Sequence, residues 1–169
     1  QNTAKSKNVI KTWSRRSTVV PQMIEHGSGH LVAISSLAGY RGLPKSAAYS
    51  ASKFALRGFT EALRRELADS KVGVHYFAPR ATRTGMNAAA VDRMNAELKV
   101  AMDPPAQVAA AACAMLEAGR TGAVFGWPEK LFVRINALLP GVVDGSLRRQ
   151  LPVIRRHAAA AAAERAMPS

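Results

Sequence analysis

A tyrosine and a lysine at i and i+4, in Tyr49-Ser50-Ala51-Ser52-Lys53, stand downstream of Ser36, so that a phenol, an ammonium and a hydroxyl can surround one reacting carbonyl. A phenol titrates near pKa 10 and is a poor acid–base catalyst at neutral pH, but a nearby ammonium favours the phenolate and moves the group toward its working range. A serine hydroxyl can hydrogen-bond the carbonyl oxygen as hydride arrives and negative charge develops. Asn8 is a further candidate, holding a water that links Lys53 to solvent as a proton route. The pair alone is weak evidence, since Tyr-x-x-x-Lys arises by chance in roughly one chain in seven of this composition. Its bland alternative is two side chains snorkelling from an ordinary amphipathic helix.

The surrounding elements raise its weight. Leu31-Val32-Ala33-Ile34 is a short apolar run without alternation, as expected of a strand covered on both faces in a parallel sheet, and Ser35 and Ser36 sit at its carboxyl end. A loop with Gly39, Gly42 and Pro44 leads to a predicted helix over 47–69, with Ala55, Phe59, Ala62, Leu63 and Leu67 as its apolar stripe. Tyr49 and Lys53 share one face of that helix. Val72-Gly73-Val74-His75-Tyr76-Phe77 reads as the next strand, and strand, helix, strand implies a right-handed crossover. Upstream, 8–26 has helical spacing interrupted by Pro21; downstream, helices are predicted over 92–100 and 105–118, with a strand over 123–125. Open parallel sheets bind ligands at the carboxyl ends of their strands, which places Ser36 and the 79–86 segment together. Residues 129–139 carry an amphipathic helix, and the remainder reads as an Arg- and Ala-rich tail.

The 169 residues are one ordinary domain's worth of chain, and 48% hydrophobic against 21% charged is a globular composition. No apolar run approaches the ~20 residues of a membrane span. The single Cys113 excludes an internal disulfide and suits a reducing, cytoplasmic setting; in its Ala-rich helix it is expected to be a small buried packing residue. The four histidines show no paired metal spacing, so no metal site is expected. The formal charge of +13 favours anionic partners through its field, although it is spread along the chain and reads first as a solvated surface.

The stretch from Gly29 through Ser36 to Gly39, then Pro44, then Ala48-Tyr49-Ser50-Ala51-Ser52-Lys53, closely resembles the active-site region of the short-chain dehydrogenase/reductase family. That resemblance implies an α/β fold, a partial Rossmann-like doubly wound parallel sheet with flanking helices. It implies an NAD(P)-dependent oxidoreductase interconverting an alcohol and a carbonyl. In it Asn8, Ser36, Tyr49 and Lys53 are catalytic and Ser36 and Tyr49 touch substrate, while Tyr49, Lys53, Pro79, Thr82 and Thr84 hold the cofactor, NAD or NADP. Asn8-Val9-Ile10 matches the family's asparagine-bearing helix, with Lys11 where glycine is usual. The Pro-Gly loop is altered: Arg80 replaces its glycine and Thr82 its aliphatic residue, so Arg80 is expected to distort the nicotinamide-side loop or, less favoured, to contact a cofactor phosphate.

The family's glycine-rich nucleotide-binding half has no counterpart here; Gly27-x-Gly29 and the glycines at 119–126 lie in the wrong order relative to strand and helix, and the missing half is expected to precede residue 1. Residues 1–128 are read as the catalytic portion and 129–169 as a C-terminal amphipathic helix with a basic tail. Leu147, Leu151, Val153 and Ile154 point to an apolar or lipid-like substrate, while the 129–139 helix with its neighbouring arginines is a candidate pocket cap, homo-oligomer face or peripheral membrane contact. The alternative function is a truncated, non-catalytic relative acting as a basic interaction module; nucleic-acid binding rests on charge alone and ranks last.

Overall fold

The structure, a computed structural model, describes residues 19–85 and 89–166. Three parallel strands form its centre in the order β1-β2-β3: β1 (Gly29–Ile34), β2 (Val72–Pro79) and β3 (Gly122–Phe125). The register runs from Gly29 opposite Val72 to Ile34 opposite Phe77, and from Tyr76 opposite Gly122 to Pro79 opposite Phe125. Parallel neighbours need crossover segments rather than tight turns. Helix α1 (Val19–His26) precedes β1, α2 (Ala47–Glu66) joins β1 to β2, and α3 (Ala89–Glu97) and α4 (Pro105–Glu117) lie between β2 and β3. The architecture is the expected α/β one.

Burial follows position in the sheet. On the middle strand β2, Val72, Val74, His75, Tyr76, Phe77 and Ala78 are all buried, which explains a sequence without polar alternation. The same reading fails for β1. Among the described residues it pairs only with β2, and Ile34 is 54% exposed. The main core joins Leu63 of α2 and Leu67, which caps it, to Val72 and Val74, with Val20, Met23 and Ile24 of α1 packed against it. The expected stripe on α2 is therefore only half right: Leu63 and Leu67 are buried and Phe59 packs on the core, but Ala55 and Ala62 face solvent. Thr60 takes an inward place instead, its hydroxyl donating to the Leu56 carbonyl at 2.7 Å. A threonine can face the core when its own helix accepts its proton.

The predicted 92–100 helix lies earlier, at Ala89–Glu97, and Cys113, expected to be buried, is exposed on α4. After α5 (Glu129–Leu138) the chain is not a tail but α6 (Pro140–Ala166), a 27-residue helix that runs through Pro152. Proline is at home in a first helical turn and alanine is the best helix former, so Pro140 and the alanines at 158–163 suit its two ends. Val143 and Ile154 of α6 are buried, whereas Leu131, Phe132, Leu138 and Leu139 of α5 and its exit remain exposed. No helix among the described residues is long and apolar enough to cross a membrane.

Candidate active site

The carboxyl ends of β1 and β2 open into a cleft of about 580 Å³. Ser36, Tyr49, Pro79, Thr82 and Thr84 line it together. Lys53 is not part of the lining; its Nζ lies 5.4 Å from the centre of the Tyr49 ring, as the i, i+4 spacing allows. Asn8 lies outside the described residues. The tyrosine is 47% exposed, leaving the phenol accessible from the cleft.

Local structure sets each of these groups. Ser36 caps a short 3-10 turn, Leu37–Gly39, and its Oγ accepts from the Ala38 N–H at 3.2 Å. With that lone pair engaged, the hydroxyl proton is free to be donated. Gly39 lets this turn lie directly on α2: a β-carbon there would stand 2.2 Å from the Tyr76 Oη and 2.9 Å from the Lys53 carbonyl oxygen. The Tyr76 hydroxyl donates to Ser35 Oγ at 2.8 Å, and burial pushes the pKa of this phenol up. The Arg57 guanidinium sits 4.1 Å from the centre of the Tyr40 ring, a cation–π contact that ties the middle of α2 to the same turn. Ser50, inside the Tyr-to-Lys segment, accepts from the Leu43 N–H at 3.1 Å and so pins the glycine loop to the helix. Sequence reading missed Ser35, Ser50 and Tyr76 as supports. A serine beside the site residues and a tyrosine in a buried strand are signals, but only the fold brings them together.

Arg80 corrects the sequence expectation on both counts. Its φ is not in the left-handed region, so no strained backbone replaces the family's glycine. Its guanidinium is not available to a phosphate: Nε and Nη2 donate to the two Asp103 carboxylate oxygens at 2.7 and 2.6 Å, and Nη1 donates to the Trp127 carbonyl at 3.1 Å and to Glu129 Oε2 at 3.3 Å. The hydrogen bond to Asp103 holds the Arg80 pKa above its ordinary value. The backbone reinforces the link, with Asp103 N–H donating to the Ala81 carbonyl and Arg83 N–H to that of Asp103, both at 2.9 Å. The segment entering the cleft after β2 is thereby laced to the segment before α4.

Arg41 also lines the cleft and was not anticipated. Burial lowers its pKa, opposed by the charge of Glu129, and its Nε is buried without a hydrogen-bond partner. Leu43, Val91, Met94, Leu98, Leu147 and Ile154 supply an apolar wall, and Asn95 and Gln150 add polar groups. No group of three potential metal ligands occurs among the described residues.

Residues 7–95, more than half of the chain, match the short chain dehydrogenase family. The chain is 46% identical over 81 residues to an uncharacterized oxidoreductase of Myxococcus xanthus, an alignment that covers 48% of this chain and 32% of that relative. A short chain dehydrogenase from Burkholderia cenocepacia, solved in complex with NADP, shares the fold with a TM-score of 0.63 at 24% identity, over 75% of this chain and 50% of its own. A variant of actinorhodin polyketide ketoreductase, solved with NADPH, gives a TM-score of 0.51 at 28% identity, over 60% of this chain and 47% of its own. The chain thus spans a third of the curated relative and about half of each solved protein.

Proposed function

This chain belongs to the short-chain dehydrogenase family, and from that premise we propose that it carries the catalytic portion of an NAD(P)-dependent oxidoreductase that interconverts an alcohol and a carbonyl. The observation that carries the reading is the meeting of Ser36 and Tyr49 on one cleft, with the Lys53 cation beside the Tyr49 ring. The cleft suits a nicotinamide on chemical grounds: Thr82 and Thr84 offer polar side chains along the wall that follows Pro79. The similar ketoreductase solved with NADPH supports the cofactor class. When bound, the dihydronicotinamide supplies the hydride.

The residues of the chain do the rest. A substrate carbonyl oxygen near Ser36 takes a hydrogen bond from the hydroxyl proton that the Ala38 contact leaves free. Tyr49 gives its phenolic proton to the same oxygen, so that hydride on carbon and proton on oxygen complete the alcohol; the reverse reaction returns the proton to Tyr49. Lys53 places a positive charge beside the Tyr49 ring, where the phenolate develops, and would hold the ribose of the cofactor. Pro79, Thr82 and Thr84, which line the cleft, would hold the nicotinamide, and Asn8 would support the proton route from Lys53. The apolar wall, with Leu147 and Ile154 from α6, favours an apolar substrate body.

Tyr49→Phe tests the reading in the product of the full reading frame, followed as NADPH consumption with a panel of ketones and aldehydes. Turnover should fall by at least ~100-fold, the usual scale of a lost general acid. Ser36→Ala should give a loss of similar order through the missing oxygen contact. Undiminished turnover in Tyr49→Phe would overturn the mechanism. Titration of the 169-residue chain with NADH and NADPH separates a catalytic portion, which retains measurable affinity for one of them, from a non-catalytic basic module.

A further inference from the structure

Two guanidiniums face the cleft, and their states differ. Arg80 is held by Asp103, Glu129 and a backbone carbonyl. Arg41 is partly buried, its Nε has no partner, and the nearby Glu129 acts on it through charge while giving its Oε2 to Arg80. A partly desolvated guanidinium with a buried, unpaired Nε is costly, and a planar, bidentate anion on the part of the group that lines the cleft is the chemistry that best offsets that cost. Arg41 shares the cleft lining with the apolar side chains of Leu43, Val91, Met94, Leu98, Leu147 and Ile154.

We propose that Arg41 anchors a carboxylate on the substrate. The cleft then takes an aliphatic oxo- or hydroxy-carboxylic acid, its reacting carbon at Ser36 and Tyr49, its chain on the aliphatic wall and its carboxylate on the guanidinium fork. This rests on the carbonyl chemistry proposed above for the same cleft. Arg41 and Arg80 balance Asp103 and Glu129 in formal charge, and the +13 of the whole chain adds a field that draws an anion to the Arg41 guanidinium.

Octanoate and octan-1-ol, which share length and apolar area, are the probes, titrated calorimetrically into the 169-residue chain without nucleotide. Octanoate should bind about tenfold more tightly than the alcohol, as a charge-assisted pair exceeds a neutral hydrogen bond. It should also shift the Met94 methyl resonance. Arg41→Gln should bring the two affinities together while leaving octan-1-ol unchanged, and Arg41→Lys, which keeps the charge but loses the fork, should retain part of the preference. Equal affinities in the wild type, absence of octanoate binding, an unmoved Met94 methyl, or a preference that survives in folded Arg41→Gln would each overturn the assignment. If Arg41→Gln does not fold, Arg41→Lys decides: a several-fold loss confined to octanoate supports the anchor, and an undiminished preference overturns it. Octanoate has no reducible carbonyl at its tail, so these affinities stand or fall separately from the turnover of Tyr49→Phe.

Discussion

Gly39 is the residue at which the support of the site can be tested most directly. Its missing β-carbon is what lets the Ser36 turn lie against α2 and the Tyr76 hydroxyl, and the gap of 2.2 Å to that oxygen admits no side chain without movement. Gly39→Ala should cost about 1–3 kcal/mol of stability, the scale of overpacking in a dense interior, read as a shift in the denaturant midpoint. Stability equal to the wild type would show that the turn and α2 are not coupled in this way. Ser36, Tyr49 and Lys53 were legible in the sequence because helical spacing and the end of an apolar run are local signals. Arg41 was not: a lone arginine in a glycine loop looks the same whether it faces solvent or a cleft.

At the scale of elements, Arg80 works as a strut rather than a flaw. Side chains of Arg80 and Asp103 are 17% and 7% exposed, and the pair bridges the exit of β2 to the entry of α4. Restoring the family's residue, Arg80→Gly, should therefore destabilise the protein by about 3 kcal/mol, because Asp103 would be left as a buried charge without its partner. Thermal unfolding of Arg80→Gly alone and of Arg80→Gly with Asp103→Asn checks this. The double variant should recover part of the loss, whereas a single variant as stable as the wild type would refute the strut. The sequence could show that Arg80 departed from a pattern but not the sign of the effect, since its partners lie 23 and 49 residues away. The outward Ala55 and Ala62 and the exposed Ile34 have the same origin: helical and strand periodicity show an apolar face, and only the neighbouring elements decide whether it is covered.

Across the whole molecule, ionisation should limit stability from both sides of neutrality. On the acid side Glu97 of α3 is held below the ordinary carboxylate range, first by its hydrogen bond from Arg156 and next by that from His157, both on α6. A depressed folded-state pKa gives stability that is present above the unfolded glutamate value and lost as pH falls through the folded one. The pair is exposed, so the effect should be small and should fade with salt. Melting curves from pH 7 downward should show a shallower acid loss in Glu97→Gln, with the difference from wild type vanishing in concentrated salt. An identical acid limb in both proteins would exclude the link. On the alkaline side burial raises the pKa of Tyr40 and Tyr76, so their contribution is present below the ordinary tyrosine range near 10 and disappears as pH rises through the folded values. Unfolding followed above pH 9 by the phenolate absorbance should show ionisation of these two tyrosines coinciding with loss of structure, not preceding it.

The sequence alone was sufficient for the α/β class, the strand–helix–strand order and the family resemblance, because periodicity and residue spacing are properties of neighbours along the chain. It was also sufficient to nominate Ser36, Tyr49 and Lys53. The tertiary structure decided what those local patterns cannot carry: that the supposed tail is a helix contributing Leu147, Gln150 and Ile154 to the cleft, that Arg80 is bound to Asp103 and Glu129, and that Arg41 faces the same cleft with its Nε unpaired. Each depends on which distant groups fold against it, and the free energy of a charged side chain is set by those groups rather than by its neighbours in sequence.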